Sequence, residues 1–295
     1  MLICPNCLSD EVSSGSRCTG CGWEPIARDG IADYFNGSDR ASNVIEKYVH
    51  NYESLAQQNM VQSNIDRRFL RNQAINLAKY VAPVQGRYIC DVGIGQGFLC
   101  EELLRRGACR VAAVDVAITY LRRFLGHERV QPYLANAECL PFLAEFDMLV
   151  STDVMEHVIN VGSFLYSVNR ALKLGGTFAV RVPYREGLLE YSPHRGYAYA
   201  FGHLRSFNKD LLRIYLSQAG FRLRSFHLDG FSPGTPQPYL YDTPRRKQLY
   251  HRFVQYLNDR LEHPADATLM NSRLARLFMR PVEIAAIAEK VAEVS

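Results

Sequence analysis

At 295 residues, 47% hydrophobic and 22% charged, the chain has the makeup of a globular protein with one substantial core and room for small additions. That balance excludes a disordered or fibrous polymer, and no apolar run approaches the ~18 residues of a membrane span. A formal net charge of +4 is too small to argue for nucleic acid by itself. The opening residues, Met1-Leu2-Ile3-Cys4-Pro5, carry neither the basic segment nor the long apolar core of a secretory signal, which makes a cytoplasmic location the default expectation.

The first chemistry in the chain is in its cysteines. Cys4-Pro5-Asn6-Cys7 and Cys18-Thr19-Gly20-Cys21 are two C-x-x-C pairs ten residues apart. Each pair suits a tight knuckle whose thiolates converge on one tetrahedral zinc, with Gly20 and Gly22 permitting the turns. Two disulfides in a secreted module would use the same residues, but no secretion signal supports that. Four thiolates leave no open coordination position, so the zinc expected at Cys4, Cys7, Cys18 and Cys21 is structural. Cys90, Cys100, Cys109 and Cys139 are scattered through apolar segments and read as small hydrophobes. Residues 1–40 hold six acids against three arginines, a balance of −3 that favours docking on the rest of the chain over contact with RNA.

Residues 37–43 read as a polar linker with no apolar period. From Val44 to about Val81 the pattern turns helical, through Val44, Tyr48, Tyr52 and Leu55 and then Ile65, Phe69, Ile75 and Leu77, until Ala82-Pro83 stops it. Strands are then expected at Tyr88–Val92, Arg110–Asp115, Val130–Leu134, Phe146–Ser151 and Gly176–Val182. Helices are expected between them at Leu99–Arg106, Ala117–Leu125 and Val161–Leu172. A helix over Lys209–Ala219 leads to a strand at Phe221–Asp229, and Gly230–Pro238 is a Pro/Gly-rich loop. Residues 241–280 read mostly helical, and Pro281–Lys290 is assigned to a last strand beside Phe221–Asp229. This alternation predicts an α/β fold: a Rossmann-like, seven-stranded, mostly parallel sheet with helices on both faces, preceded by a small N-terminal zinc ribbon. The expected domains are the ribbon at 1–36, a helical linker or cap at 37–82, and a cofactor-binding domain at 83–295 with a helical insertion at about 231–280.

The loop Asp91-Val92-Gly93-Ile94-Gly95-Gln96-Gly97 follows a predicted strand and opens a helix. Glycines there let backbone approach a ligand, and the helix start offers unpaired N–H groups. A dinucleotide fingerprint would place its third glycine three residues after the second. Here Gly97 comes two residues after Gly95, and Asp91 sits just ahead of the first glycine.

That arrangement resembles the first motif of the class I S-adenosylmethionine-dependent methyltransferases, and further segments fall in register over about residues 85–230. Val111–Asp115 resembles the second strand of that family, Leu134–Phe142 the adenine-site segment, and Phe146–Val158 the fourth-strand motif. Leu172–Phe178, His203–Phe207 and Gln218–Phe221 match later elements. The resemblance implies S-adenosylmethionine as cofactor. Asp91 would orient its amino group, Gly93, Gly95 and Gly97 would pass beneath its sulfonium-bearing part, and Asp115 with Val116 would take the ribose. Asn136 and Ala137 would line the adenine, and Ser151 would contact the cofactor from strand four. Asn136 stands where the family usually carries Asp. The segment Trp23–Phe35 is similar to the tail of small zinc ribbons that activate or precede many methyltransferases.

Methyl transfer is an in-line displacement that depends on positioning, and a base is needed where the acceptor is a hydroxyl. Three histidines are candidates: His157, His194 and His203. Asp153-Val154-Met155-Glu156-His157 resembles the acid-x-x-Glu-His segment implicated in metal binding in ubiquinone-pathway O-methyltransferases. The aromatic, polar stretch Tyr184–Phe207 suits a lid over an acceptor ring or sugar. O-methylation of a small molecule or glycan is therefore the expected activity. Methylation of RNA or protein is a second expectation, suggested by the ribbon and by the basic Arg245–Arg252 patch. Ser151-Thr152-Asp153-Val154, where many amino-group methyltransferases carry Asn-Pro-Pro-Tyr, disfavours it. A non-catalytic cofactor-binding module is a third.

Overall fold

The computed structural model describes residues 1–9, 17–61, 67–185, 202–229 and 281–294. The expected insertion at 231–280, His194 and the Arg245–Arg252 patch lie outside the described residues.

The centre is a parallel sheet. Strands β3 (Tyr88–Val92), β4 (Arg110–Asp115), β5 (Val130–Leu134), β6 (Phe146–Thr152) and β7 (Leu172–Pro183) lie in the order β5-β4-β3-β6-β7, all parallel. Strand β9 (Glu283–Lys290) pairs antiparallel with β7 on one side and with β8 (Phe221–Asp229) on the other. The inner strands are apolar on both faces because helices cover both. Cys90, Val92, Ala112 and Val114 point into one layer with Phe164 and Leu165 of α6 (Val161–Ala171) and Leu212 and Leu216 of α7 (Lys209–Gln218). Their sequence neighbours face the other way. Ile89 packs with Leu77 of α3 (Arg67–Tyr80) and Leu103 of α4 (Phe98–Arg105), and Val111 and Ala113 pack with Leu121 of α5 (Ile118–Arg122). Removing a side chain such as Phe164 from water contributes on the order of 1.5–3 kcal/mol.

Among the described residues the sheet has nine strands where seven were expected, and the two extra ones come from the N-terminal segment. Ile26–Arg28 (β1) and Ile31–Asp33 (β2) form a hairpin whose two turn residues, Asp29 and Gly30, have φ of 50° and 80°. Asp-Gly supplies those positive φ angles at low cost, and the turn matches the twist of the flanking strands. β2 then joins the edge of the main sheet, with Asp33 opposite Leu134 of β5 and Tyr34 N–H donating to Leu134 O at 2.7 Å. An edge strand exposes unpaired backbone groups, and the hairpin satisfies them. The chain start adds a second attachment, through a bridge between Leu2 and Phe142 and a bond from Ile3 N–H to Pro141 O at 3.0 Å.

Three elements depart from expectation by more than a residue or two at one end. The polar stretch after the ribbon contains a short helix, α1 (Gly37–Ala41), started by Asn36, whose side chain accepts Asp39 N–H at 2.7 Å. Its five residues carry no buried side chain, so no apolar period could mark it. Strand β7 begins four residues early, where Leu172 pairs with Phe146 across a register shift. Helix α5 is shorter than expected at both ends. Helix α2 (Asn43–Val61) and α3 lie in the stretch where the apolar period turned helical. Among the described residues no helix is long and apolar enough to cross a membrane.

Candidate functional site: a cofactor cavity and a four-thiolate cluster

A cavity opens at the carboxyl ends of β3, β4, β5 and β6, where ligands of open α/β sheets bind. Asp91 ends up on its floor because β3 runs into the glycine turn there. Gly93 and Ile94 N–H both donate to Val114 O, at 2.8 and 3.1 Å, which folds the loop back over β4. Glycine is required at two points. A Cβ on Gly93 would meet Val154 Cγ2 at 2.2 Å, and one on Gly97 would meet Phe124 Cζ at 2.5 Å; both have φ near 80°. Gly95 (φ 49°) is different: the nearest atom to its Cβ position is 4.0 Å away, so the space beyond it is open cavity.

Asp91 is 1% exposed, and among the described residues its Oδ2 has no hydrogen-bond partner. Burial, and then the charge of Asp115, push its carboxyl up to about 8. A buried carboxylate with an empty acceptor atom at a cavity floor suits a cationic group, which would restore the stability of its ionised form. Asp115 closes β4 and accepts Gly95 N–H on Oδ2 (3.1 Å) and Ala117 N–H on Oδ1 (2.9 Å). Burial raises it to about 6 against those two bonds, and its position at the strand end suits a diol donor pair. Val116, Asn136 and Ala137 line the far end. Asn136 caps a single 3₁₀ turn over Ala137–Cys139, with Oδ1 accepting Glu138 N–H at 3.0 Å. Glu138 accepts Ile159 and Asn160 N–H groups at 2.7 and 3.0 Å.

Ser151 is the member of the expected cofactor set that the cavity lining does not include. It lies fully buried in β6, between Val92 of β3 and Val180 of β7, and Thr152, Asp153 and Val154, where β6 ends, line the cavity instead.

The other wall was not legible as a site. Tyr48, Tyr52, Leu55 and Asn59 of α2 and Leu70, Gln73 and Ala74 of α3 cover the cavity. α2 is tied down by Glu53, which accepts Thr119 N–H at 3.2 Å, and by Asn59 Nδ2 donating to Tyr120 OH at 3.0 Å. The stripe Val44-Tyr48-Tyr52-Leu55 marked a helix, but nothing in its period says what the helix faces. Arg181 of β7 was also missed. It is buried, donates to Asp153 Oδ2 at 2.7 Å and Gln73 Oε1 at 3.3 Å, and lies 3.6 Å from Glu283 Oε2. Asp153 is held at φ 56°, a conformation that costs a non-glycine residue of order 1 kcal/mol and keeps its carboxylate at the cavity wall.

Of the three candidate histidines, two come together. His157 lines the cavity, with its ring 5.5 Å from Tyr52 and 4.6 Å from His203. Its Nδ1 lies 3.4 Å from Gly202 O; a proton donated there leaves Nε2 as the basic nitrogen. Glu156, His157 and His203 can place ligand atoms within 4.8 Å of one another. Asp153, first residue of the acid-x-x-Glu-His segment, turns to Arg181 instead.

The N-terminal cysteines converge as expected. Cys4 and Cys21 sulfurs are 3.6 Å apart, Cys7 and Cys18 sulfurs 3.7 Å, and all four lie within 4.8 Å of one another. A tetrahedron with ~2.3 Å zinc–sulfur bonds has edges of about 3.8 Å, so the donor set fits zinc. Behind the knuckles Trp23 is buried, donates from Nε1 to Phe35 O at 3.1 Å, and carries the Arg40 guanidinium 5.5 Å from its ring centroid.

A family profile described as a methyltransferase domain matches residues 90–180, which contain the glycine loop, Asp115, Asn136 and His157. The chain contains a class I S-adenosylmethionine-dependent methyltransferase domain. A ubiquinone biosynthesis O-methyltransferase of Bradyrhizobium sp. (strain ORS 278) is 34% identical over 119 residues, 39% of this chain and 45% of that protein. The mitochondrial ubiquinone biosynthesis O-methyltransferase of Dictyostelium discoideum is 26% identical over 153 residues, 46% of this chain and 47% of that protein. The chain thus spans less than half the length of these curated relatives. Two solved structures share the methyltransferase fold at 16% identity. One is from the complex of the Haloferax volcanii Trm112 methyltransferase activator with a methyltransferase (TM-score 0.57, covering 82% of this chain and 98% of that one). The other is the Burkholderia thailandensis 1,6-didemethyltoxoflavin-N1-methyltransferase with bound S-adenosylhomocysteine (TM-score 0.53, covering 91% and 95%).

Proposed function

We propose that this methyltransferase domain binds S-adenosylmethionine in the β3–β6 cavity and transfers its methyl group to a hydroxyl oxygen of a small-molecule or glycan acceptor. The observation that carries the cofactor assignment is Asp91: a buried carboxylate with an open acceptor atom, beneath a glycine turn that leaves room for a ligand. In this reading Asp91 holds the amino group, Asp115 the ribose, and Asn136 with Ala137 the adenine. When bound, the cofactor supplies an electrophilic methyl carbon on a sulfonium. The protein's part is to hold the acceptor in line, exclude water and take up the acceptor's proton. Tyr48 and Tyr52 shield the cavity from α2, and His157 is the proton acceptor at its wall, oriented by the Gly202 carbonyl. The named activity of the curated relatives, O-methylation, supports an oxygen acceptor. The same reading assigns a structural zinc to Cys4, Cys7, Cys18 and Cys21.

Calorimetry with S-adenosylmethionine tests the cofactor assignment; absence of binding by the zinc-loaded chain would sink it. Transfer of labelled methyl from the cofactor into fractionated cell extract tests the acceptor, with label in RNA or protein overturning the small-molecule and glycan reading. With an acceptor in hand, His157→Gln is expected to lower turnover at saturating cofactor by about 10²-fold or more, with little change in cofactor affinity. Unchanged turnover would remove His157 as the base. A second reading, that Glu156, His157 and His203 hold a divalent cation which acidifies the acceptor hydroxyl, is favoured by their convergence within 4.8 Å. It predicts activity lost to a chelator and restored by added metal, and loss on His203→Ala as well.

A further inference from the structure

A chain of hydrogen bonds links the thiolate cluster to the adenine end of the cavity. Asn6, inside the first knuckle, donates from Nδ2 to Cys21 Sγ (3.6 Å) and accepts Gly37 N–H on Oδ1 (3.0 Å). A Cβ on residue 37 would stand 3.0 Å from that same oxygen, so glycine lets the two segments close to bonding distance. Gly37 opens α1, and two residues on, Asp39 Oδ2 accepts a bond from Asn136 Nδ2 at 3.2 Å. Asn136 Oδ1 accepts Glu138 N–H, so both ends of this amide are engaged and its orientation in the cavity wall is set from two sides. The same loop is held to the first knuckle directly, by Cys139 Sγ donating to Pro5 O at 3.1 Å.

Asp39 is not one of the cavity-lining residues, and its carboxylate is partly buried, which raises its pKa against the bond from Asn136. An aspartate at 136 would set two carboxylates 3.2 Å apart in that half-buried spot. The asparagine converts this repulsion into a charge-assisted bond. The donor type at 136 is thus matched to an acid that lies outside the segment matched by the family profile, on the helix that follows the ribbon.

We infer that Asp39 is a positioning residue for cofactor binding: it fixes Asn136 at the adenine end, and the ribbon's metal fixes Asp39 through Asn6 and Gly37, so that metal occupancy and cofactor affinity are linked. This rests on the assignments of the cavity to S-adenosylmethionine and of the thiolates to zinc. Linkage is reciprocal, so cofactor must retain zinc by the same factor that zinc tightens cofactor.

The test uses the full-length, zinc-loaded chain and S-adenosylhomocysteine as probe, with calorimetry for affinity and thermal melting for folding. Asp39→Ala is expected to weaken binding about tenfold, the scale of one hydrogen bond to a charged group, with a cooperative melt retained. Asn136→Asp is expected to weaken it further. The exchange Asp39→Asn with Asn136→Asp swaps donor and acceptor and is expected to return affinity to within about threefold of the parent. A role in stability alone would give no such rescue. Asn6→Ala keeps all four thiolates and is expected to weaken the probe about fivefold. Release of zinc to a competing chelator is expected to slow when the probe is present in the parent but not in Asp39→Ala. Parent-like binding by Asp39→Ala, or losses that add in the exchanged pair, would overturn the positioning role. Parent-like binding by Asn6→Ala, together with zinc release indifferent to the probe, would overturn the link to the metal. Failure of the parent to bind the probe, or a purified chain without zinc, would instead strike the underlying assignments, and both are measured before any variant is compared.

Discussion

At the scale of single residues, the glycine loop separates two roles that its sequence runs together. Gly93 is a packing glycine: its φ of 77° and the 2.2 Å approach to Val154 Cγ2 leave no place for a methyl group. Valine is stiff at χ1 and cannot swing aside without moving backbone. Gly93→Ala is therefore expected to destabilise the fold by about 2–4 kcal/mol, read by chemical denaturation, and to lose cofactor binding as a consequence. Gly95 is a binding glycine. Its Cβ would enter open cavity, so Gly95→Ala should cost only about 1 kcal/mol for the left-handed backbone yet weaken S-adenosylhomocysteine at least tenfold by steric exclusion. A large stability loss in Gly95→Ala with unaltered binding would reverse the two assignments. Asp91 was singled out by the glycine turn just after it, whereas Asp115, followed by Val116-Ala117, was singled out only by the resemblance of Val111–Asp115 to the family's second strand. The depth of Ser151 was not legible, because the cavity lining starts where β6 ends, at Thr152, and that end could not be placed before β6 was paired with β3 and β7.

At the scale of elements, legibility followed burial. β3 and β4 stand where their apolar runs predicted them, since strands covered on both faces leave continuous hydrophobic segments, and β5 and β8, buried on fewer positions, keep their expected bounds as well. The final strand was read correctly in spite of its alanines and glutamate, and it sits between β7 and β8. What the pattern could not show was structure that owes its existence to a neighbour. β1 and β2 are three residues each and have a sheet edge to lean on; α1 has a cap and no core. The Asp29-Gly30 turn signal was there, but three-residue strands give no period to confirm it. The ribbon is consequently part of the core in a way its sequence suggested only as docking. Trp23, Cys4 and Cys18 belong to one buried cluster with Val92, Val114 and Phe146. Trp23→Ala is expected to cost about 3–5 kcal/mol, through the lost ring, the Phe35 O bond and the Arg40 contact, and to lower the melting temperature of the whole chain in one transition. A second, separate transition for the ribbon would show that its attachment through β2 and β5 is weak.

At the scale of the molecule, the cavity and the sheet around it hold more acid than base, and this sets a pH dependence. Asp91 stands at about 8 in the fold against an ordinary value of 3.8, and Glu283, buried beside Arg181, is also pushed well upward by desolvation. An acid with a raised folded pKa binds its proton more tightly in the folded chain than in the unfolded one. Its contribution to stability is complete below about pH 4 and is lost progressively as pH rises through about 8. The cofactor-free protein should therefore lose stability between pH 5 and 8.5 in denaturant titrations, and Asp91→Asn or Glu283→Gln should each flatten part of that slope. Binding distinguishes the two. A cation on Asp91 requires the ionised carboxylate, so affinity for S-adenosylmethionine should tighten from pH 6 to 8, with a proton released near pH 7. Calorimetry in two buffers of different ionisation enthalpy reads that proton. Asp91→Asn should abolish both the pH dependence and the proton release, and weaken binding by about tenfold or more, the loss of one charge-assisted bond. Glu283→Gln should leave them in place, because Glu283 acts on the cavity wall only through Arg181 and Gln73. Proton release that persisted in Asp91→Asn would move the cation's partner to another acid, and Asp115, raised by burial to about 6, is the next one facing the cavity.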